Sequence, residues 1–406
     1  MLPISLLATA APVMSSDAAP ILRSMSSPHL PPSALRASPW PGRGPPPRYF
    51  TTKQDHFSSS NNKTWQQAYY VNDKYFDGTG PVFLCVGGEG PPLDGTAVTG
   101  SVHCNVAVEF LPESKALMFA VEHRYYGCHN MSACPYSAHD EKPLQWLSSH
   151  QALADLATFH AYATKAYGLT KPTNKWVSFG GSYPGMMAGW FRVVYPELVH
   201  ASISSSAPVH AKLDMEEYYD VTARAYSLEY PEIGGSKECE ANIRSGHETI
   251  GKLMNTSTGR EQLAQLFSSR IPSASWLSTY SHKKEFAGNG VYRFGTQGND
   301  PSCTSFGCNV KMICEVMAGG PPSPPLNRLA KLVSGGNDVV EASEEPAEEA
   351  AADLLPNSPH AYLDYWGWQT CTEFGFYQTC EVGSKCFFTQ GYNLLSDNDG
   401  FCQSDY

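Results

Sequence analysis

The stretch Trp176-Val-Ser-Phe-Gly-Gly-Ser-Tyr-Pro-Gly185 constrains this chain more than any other. A short apolar run meets two glycines, a serine and the start of a helical pattern. A strand that turns so sharply into a helix presents a serine hydroxyl at the tip of the bend, and the flanking residues must be small or preset in conformation. Gly180 and Gly181 meet that condition upstream. Downstream, Pro184 follows at the second position and the glycine arrives only at Gly185, so the strict G-x-S-x-G spacing is not met. The bland alternative is an ordinary Gly-Gly-Ser turn; the strand before it and the helix after it favour the hydrolase reading. Ser182 is therefore the candidate nucleophile. A serine needs a base to react at neutral pH. The histidines that follow it are His200, His210, His247, His282 and His360, and none is assigned as that base. Asp397 and Asp399 lie in Ser396-Asp-Asn-Asp-Gly400, a turn composition, and are not assigned as its orienting acid.

Around this bend the chain alternates strands and helices. Gly80-Pro-Val-Phe-Leu-Cys-Val86 and Ala116-Leu-Met-Phe-Ala-Val-Glu122 read as buried strands, Trp176 to Phe179 as a third and Ala201 to Ser204 as a fourth. Ala152, Leu153, Leu156 and Phe159 line one face of a helix over 148–167, which Ser148 or Ser149 caps. Continuous apolar strands between helices predict a parallel sheet covered on both faces, an α/β class. From about Ala211 the helical stretches become more polar, as in an inserted cap. The predicted organisation is a leader over 1–48, a first hydrolase part over 49–210, a helical cap over 211–385 and the start of a return to the hydrolase layer over 386–406. The leader holds a short apolar run, Leu2 to Val13, resembling a signal peptide without its basic start, then a proline-rich stretch to Pro47. Glu341 to Ala352 reads as a solvated or flexible acidic run.

The formal charge of −11 argues against a nucleic-acid partner. No run of 18 or more apolar residues predicts a membrane span. The 12 cysteines are irregularly spaced and form no zinc framework, which suits disulfides in an oxidising compartment; buried free thiols are the alternative, and pairing is not legible from spacing. Sequons at Asn62, Asn130 and Asn255 agree with passage through a secretory, lysosomal or vesicular route.

An oxyanion hole needs backbone N–H groups aimed at the developing negative oxygen. One is expected from Tyr183, the residue after the nucleophile. The other is expected from Gly87-Gly88-Glu89-Gly90, after an earlier strand, with Gly88 the candidate donor; an ordinary strand-end turn is the competing reading. Glu89 and Glu373 are candidate substrate contacts, with a salt bridge in the cap the alternative for Glu373. His123 and Arg124 are read as structural residues of a loop, and Asp55 and His56 as pinning the edge of the domain.

Several motifs occur in order: Gln54-Asp-His-Phe57, Gly87-Gly-Glu-Gly-Pro91, Glu122-His-Arg-Tyr-Tyr-Gly127, Ser149-His-Gln-Ala-Leu-Ala-Asp-Leu156, Gly180-Gly-Ser-Tyr-Pro-Gly185, Ser205-Ser-Ala-Pro-Val209 and Trp368-Gln-Thr-Cys-Thr-Glu-Phe-Gly375. Together, over about residues 49 to 405, they resemble the serine carboxypeptidase family of lysosomal Pro-X carboxypeptidase and dipeptidyl peptidase II. Cys371-Thr-Glu-Phe-Gly-Phe-Tyr-Gln-Thr-Cys380 points to its thymus-specific serine protease branch. The resemblance implies an α/β-hydrolase sheet with a helical cap and exopeptidase action on short peptides, of the dipeptidyl-peptidase or prolyl carboxypeptidase kind, through an acyl-enzyme on Ser182; no cofactor or metal is expected, and a homodimer is among the partners considered. It also implies a downstream aspartate and histidine whose segments have no match here. The expectation is a chain with little peptidase activity as written; the alternative is a non-catalytic pseudo-hydrolase that binds peptides or a protein partner.

Overall fold

A computed structural model describes residues 44–100, 104–128, 133–137, 139–292, 294, 299–335, 364–397 and 402. The leader up to residue 43 and the acidic run Glu341 to Ala352 lie outside these residues.

Six strands form one sheet: β1 (Arg48–Lys53), β2 (Thr64–Asn72), β3 (Val82–Val86), β4 (Leu117–Val121), β5 (Trp176–Gly181) and β6 (Ala201–Ser205), in the order β1-β2-β4-β3-β5-β6. The four strands read from sequence run parallel, β4-β3-β5-β6. On the other side the sheet continues with two strands that were not read from the sequence. There β1 pairs with β2, and β2 with β4, in antiparallel register. A short loop joins β1 to β2, and an antiparallel neighbour needs no crossover helix. That connection carries none of the strand–helix alternation on which the sequence reading relied.

The two faces divide cleanly by the period of two. Val82, Leu84, Val86, Leu117, Phe119 and Val121 pack on one side with Ala152, Leu153, Leu156 and Phe159 of α2 (Ser149–Ala166) and Met186, Met187 and Phe191 of α3 (Ser182–Val194). Phe83, Cys85, Met118, Ala120 and Phe179 face the other way, onto Ala107 and Leu111 of α1 (Asn105–Ser114). The Cys85–Cys104 disulfide ties β3 to the start of that helix. Ser148 caps α2, its side chain accepting from the Gln151 N–H. The three-layer arrangement, with helices on both faces of a mostly parallel sheet, is that of an α/β-hydrolase. β6 is a sheet edge and largely exposed.

A second core is helical. It draws on α4 (Glu217–Ala225), α5 (Lys237–Leu253), α6 (Ser257–Leu266), α7 (Tyr280–Ala287), α8 (Val310–Met317) and α9 (Pro325–Gly335), with Tyr226, Ile243, Ile250, Phe267, Phe286, Ile313 and Leu329 inside. Cys239–Cys314 staples α5 to α8. Two of the chain's crossings between the layers, near residues 213–215 and 377–380, lie side by side. Met215 N–H donates to the Tyr377 carbonyl at 2.8 Å, and Tyr377 N–H to that of Leu213 at 2.9 Å.

The return falls elsewhere than the boundary expected at 386. Cys380, Cys386, Phe387 and Phe388 are interior to the helical core. It is the preceding segment that packs on the hydrolase layer: Phe376 in the sheet core, and Tyr365 of α10 (Tyr365–Gln369) against Tyr125, Tyr126 and Tyr136. The Cys380–Cys386 bridge and the Arg244 guanidinium, which donates to the carbonyls of Cys386 and Lys385, hold the later segment beside α5.

Candidate active site

Ser182 is the first residue of α3, directly after β5, and has φ +57°. A side chain other than glycine in that region signals local strain on the order of 1–3 kcal/mol that the surroundings must impose. They do so through close packing that only glycine permits. A Cβ on Gly180 would lie 2.1 Å from the Pro184 carbonyl oxygen, and one on Gly185 would lie 2.9 Å from that of Ser205. The departure from G-x-S-x-G also acquires a reason. The Pro184 ring sits where a Cβ on Gly88 would be, 2.1 Å from its Cγ and 2.5 Å from its Cδ. Proline two residues past the serine and glycine in the loop after β3 are complementary shapes, and together they seat the Gly87–Gly90 loop on the bend.

Glu89 follows Gly88 on that loop. Its carboxyl group faces the hydroxyl of Ser182 and the N–H of Tyr183. Burial pushes it up to about 7, against the pull of its own N–H, the serine hydroxyl and the Tyr183 N–H, all of which favour the anion. Its Oε2 is buried with no hydrogen-bond partner. Of the residues picked from sequence, Ser182, Tyr183, Gly88 and Glu89 are thus brought together.

Glu373 is not part of that group. Its two oxygens accept from the Ser149 N–H at 3.0 and 2.9 Å, and Oε1 also accepts from the Ser149 hydroxyl at 2.8 Å. The free N–H groups and positive end of α2 attract the carboxylate, which makes it a helix cap rather than a substrate contact. The cap reaches the site indirectly. Gln369 Nε2 donates to Glu373 Oε2 at 3.1 Å and to the Tyr183 hydroxyl at 3.2 Å, while Tyr126 donates to Gln369 Oε1 at 2.7 Å.

The Tyr183 hydroxyl also meets His123 Nε2 at 2.8 Å. His123 Nδ1 lies 2.6 Å from the Arg124 carbonyl, which can only accept, so the proton sits on Nδ1 and Nε2 accepts from the tyrosine. Burial lowers His123 to about 4, and the ring is neutral across the physiological range. Tyr183 is therefore clamped at its far end by His123 and Gln369, in a fully buried setting. Sequence reading did not assign Gln369 or Tyr126 to the site. Both lie in quoted motifs, but nothing local to them announces a partner so distant along the chain.

Arg124 secures the loop bearing His123. Its Nε and Nη2 bind the two oxygens of Asp155 at 2.7 and 2.9 Å; its other N–H groups reach the carbonyls of Gln54, Trp146 and Lys53. Asp155 Oδ1 also takes Thr52 and His56, at 3.0 and 2.7 Å. Burial raises the Asp155 carboxyl, but Arg124 and the bonds from His56 and Arg124 outweigh it and hold the group below its usual range. His56 thus pins the end of β1.

Among the described residues no hydrogen bond joins Ser182 to an imidazole. His247 is buried in the helical core, with its Nε2 accepting from the Val291 N–H. Asp397 binds Tyr280 and Lys284 there. His360 and Asp399 lie outside the described residues. Asn62 and Asn255 are exposed, and Asn130 lies outside the described residues. All 12 cysteines are paired, in six disulfides. No described helix is long and apolar enough to cross a membrane.

A serine held in a left-handed turn between a sheet strand and its helix is the bend of the α/β-hydrolase fold. The family model of serine carboxypeptidase S28 matches residues 52–395, and the chain belongs to that family, one of serine peptidases. A putative serine protease of Caenorhabditis elegans is 33% identical over 358 residues, 81% of this chain and 63% of that protein. The human thymus-specific serine protease is 32% identical over 361 residues, covering 85% and 66%. The human lysosomal Pro-X carboxypeptidase is 32% identical over 249 residues, covering 60% and 47%. Within these alignments the chain spans roughly half to two thirds of its relatives' length. A solved acetylester hydrolase from Corynebacterium glutamicum aligns with 70% of this chain and 72% of its own at 11% identity and a TM-score of 0.29.

Proposed function

We propose that the site is that of an exopeptidase acting on short peptides by acyl transfer. Ser182 attacks the carbonyl carbon, and the Tyr183 N–H, with the main chain at Gly88, holds the oxygen that becomes negative. The observation that carries this is the φ of +57° at Ser182, a strain with no structural use if the residue were only a turn. Glu89 contacts substrate: a buried carboxyl oxygen without a partner, beside the nucleophile, suits a polar group of the peptide terminus. Pro-X carboxypeptidase and the thymus-specific protease are the relatives whose names support peptide substrates. Six disulfides support folding in an oxidising, secretory compartment, with Asn62, Asn130 and Asn255 glycosylated there.

One observation favours a second reading, a hydrolase-like binder with little turnover of its own. Ser182 faces a carboxyl group, and among the described residues no imidazole bonds to it. A fluorophosphonate probe separates the two. Serine-dependent labelling together with cleavage of Pro-X or dipeptide-naphthylamide substrates, both abolished in Ser182→Ala, supports the enzyme. Peptide binding without labelling or turnover supports the binder. Labelling that persists in Ser182→Ala would overturn the assignment of the nucleophile.

A further inference from the structure

A groove of about 630 Å³ runs along the helical layer, away from Ser182. One wall is a face of α5, where Arg244, Glu248, Gly251 and Asn255 recur at helical spacing as the chain leaves the helix. The other wall is the segment Cys386 to Tyr392. Asn255 stands at one end of the groove and is the first residue of the sequon Asn255-Thr-Ser257. From Asn255 to Arg244 is 11 positions, on the order of 16 Å at 1.5 Å per helical residue. The lining mixes aromatic faces with exposed polar groups. Tyr392 stacks on Tyr280 with ring centroids 5.8 Å apart, Phe388 also lines the groove, and Glu248 and Lys252 stand exposed on α5. A sugar presents the matching chemistry, apolar C–H faces edged by hydroxyls.

We propose that this groove is the seat of an N-linked glycan carried by Asn255. The inference rests on the reading that the chain passes through a glycosylating compartment. In the transfer, Asn255 Nδ2 bonds to the anomeric carbon of a lipid-linked oligosaccharide. The bond from that carbon to the lipid diphosphate breaks, the diphosphate leaves with the electron pair, and Nδ2 gives up one proton. The folded geometry accommodates the product. Nδ2 donates to the Gly251 carbonyl at 3.0 Å, which uses the single proton an N-linked amide retains. Oδ1 accepts from the Tyr392 hydroxyl at 3.4 Å. The amide is thus held at both ends, and the direction left for the sugar starts at the groove that Asn255 lines. Thr256 caps α6 through the Gly259 N–H, a contact that forms once the chain folds and does not hinder transfer to an extended sequon. Asn62 is exposed like Asn255, but it stands in the turn between β1 and β2 and serves as the reference sequon.

The test uses the full chain secreted from eukaryotic cells. Peptide mass spectrometry reads occupancy at each sequon, and a time course of native peptide-N-glycosidase digestion reads protection. The glycan at Asn255 is expected to be released about tenfold more slowly than that at Asn62, as one protecting contact of ~1.4 kcal/mol is a factor of ten. After reduction and denaturation the two rates should converge. Tyr392→Ala should speed native release at Asn255 alone. Occupancy at Asn255 with native release as fast as at Asn62 overturns the seat and leaves the secretory reading standing. An empty Asn255 beside an occupied Asn62 does the same. Empty sequons throughout overturn both.

Discussion

Arg124 offers the sharpest test of how the loop behind the site is held. Its side chain is fully buried and spends all five N–H donors: two on Asp155 and three on the carbonyls of Gln54, Trp146 and Lys53. Lysine keeps the charge but has three donors and no planar fork, so Arg124→Lys forfeits at least two of these bonds. At about 1 kcal/mol each, with a further carbonyl left dry, the loss should be about 2–3 kcal/mol. Arg124→Met strands the Asp155 carboxylate in the interior, a cost of about 3–5 kcal/mol before the carbonyls are counted. Set against a total stability of roughly 5–15 kcal/mol, that should collapse the secreted yield. Arg124→Met with Asp155→Leu removes both charges and should recover much of the loss. Urea unfolding with the disulfides intact, followed by tryptophan fluorescence at pH 7, measures the series. The sign with pH follows from Asp155. Its folded pKa lies below the unfolded value near 3.9, so the pair stabilises above that value and the advantage fades as pH falls through the folded one. An Arg124→Lys protein within about 0.5 kcal/mol of the parent at pH 7 would refute the reasoning, since that is the range of a surface substitution.

Other expectations follow from the same contacts. Gly88→Ala places a Cβ 2.1 Å from a proline ring that cannot turn away, so the loop must lift off the bend. Fluorophosphonate labelling of Ser182 should fall by about tenfold or more, as for loss of an oxyanion donor, with the melting temperature changed far less. Glu89 is raised to about 7 in the folded state, so it opposes folding once pH exceeds the unfolded carboxyl value near 4.5. Glu89→Gln should therefore stabilise by on the order of 1–2 kcal/mol at pH 8, discounted for partial exposure, and change little at pH 4; equal effects at both, read by melting temperature, would count against a buried carboxyl. His123 and His247 are fully buried and lowered to about 4. The unfolded chain takes up protons first as pH falls below about 6.5, so each should withdraw about 2 kcal/mol of stability by pH 5. His247→Gln should flatten the acid limb of a stability–pH curve by about that amount, and an unchanged limb would argue against it.

Much of the site was readable because its signals are local. A glycine pair before Ser182, proline at 184 and a helix after it act over a few residues, and the structure puts a +57° serine there. The continuous apolar runs of β3 and β4 announced central strands. The antiparallel β1 and β2 went unread because their pairing is a matter of neighbours. The expected boundary at 386 failed for a related reason: Phe387 and Phe388 look like any apolar pair, and only the α5 face and the Cys380–Cys386 bridge decide which core receives them. Glu373 was misplaced because the positive end of α2, 224 positions away, cannot be seen from its own neighbourhood.

By itself the sequence determined the strained bend, the strand–helix rhythm and the family, since short-range sterics and the order of motifs along the chain carry all three. The tertiary structure alone decided that Pro184 fits the hollow left by Gly88, that Glu89 faces the serine, and that His123 and Gln369 grip Tyr183. Those are contacts between segments far apart in the chain. Their strength comes from shape and from the exclusion of water in a packed interior, which exist only once the layers have closed.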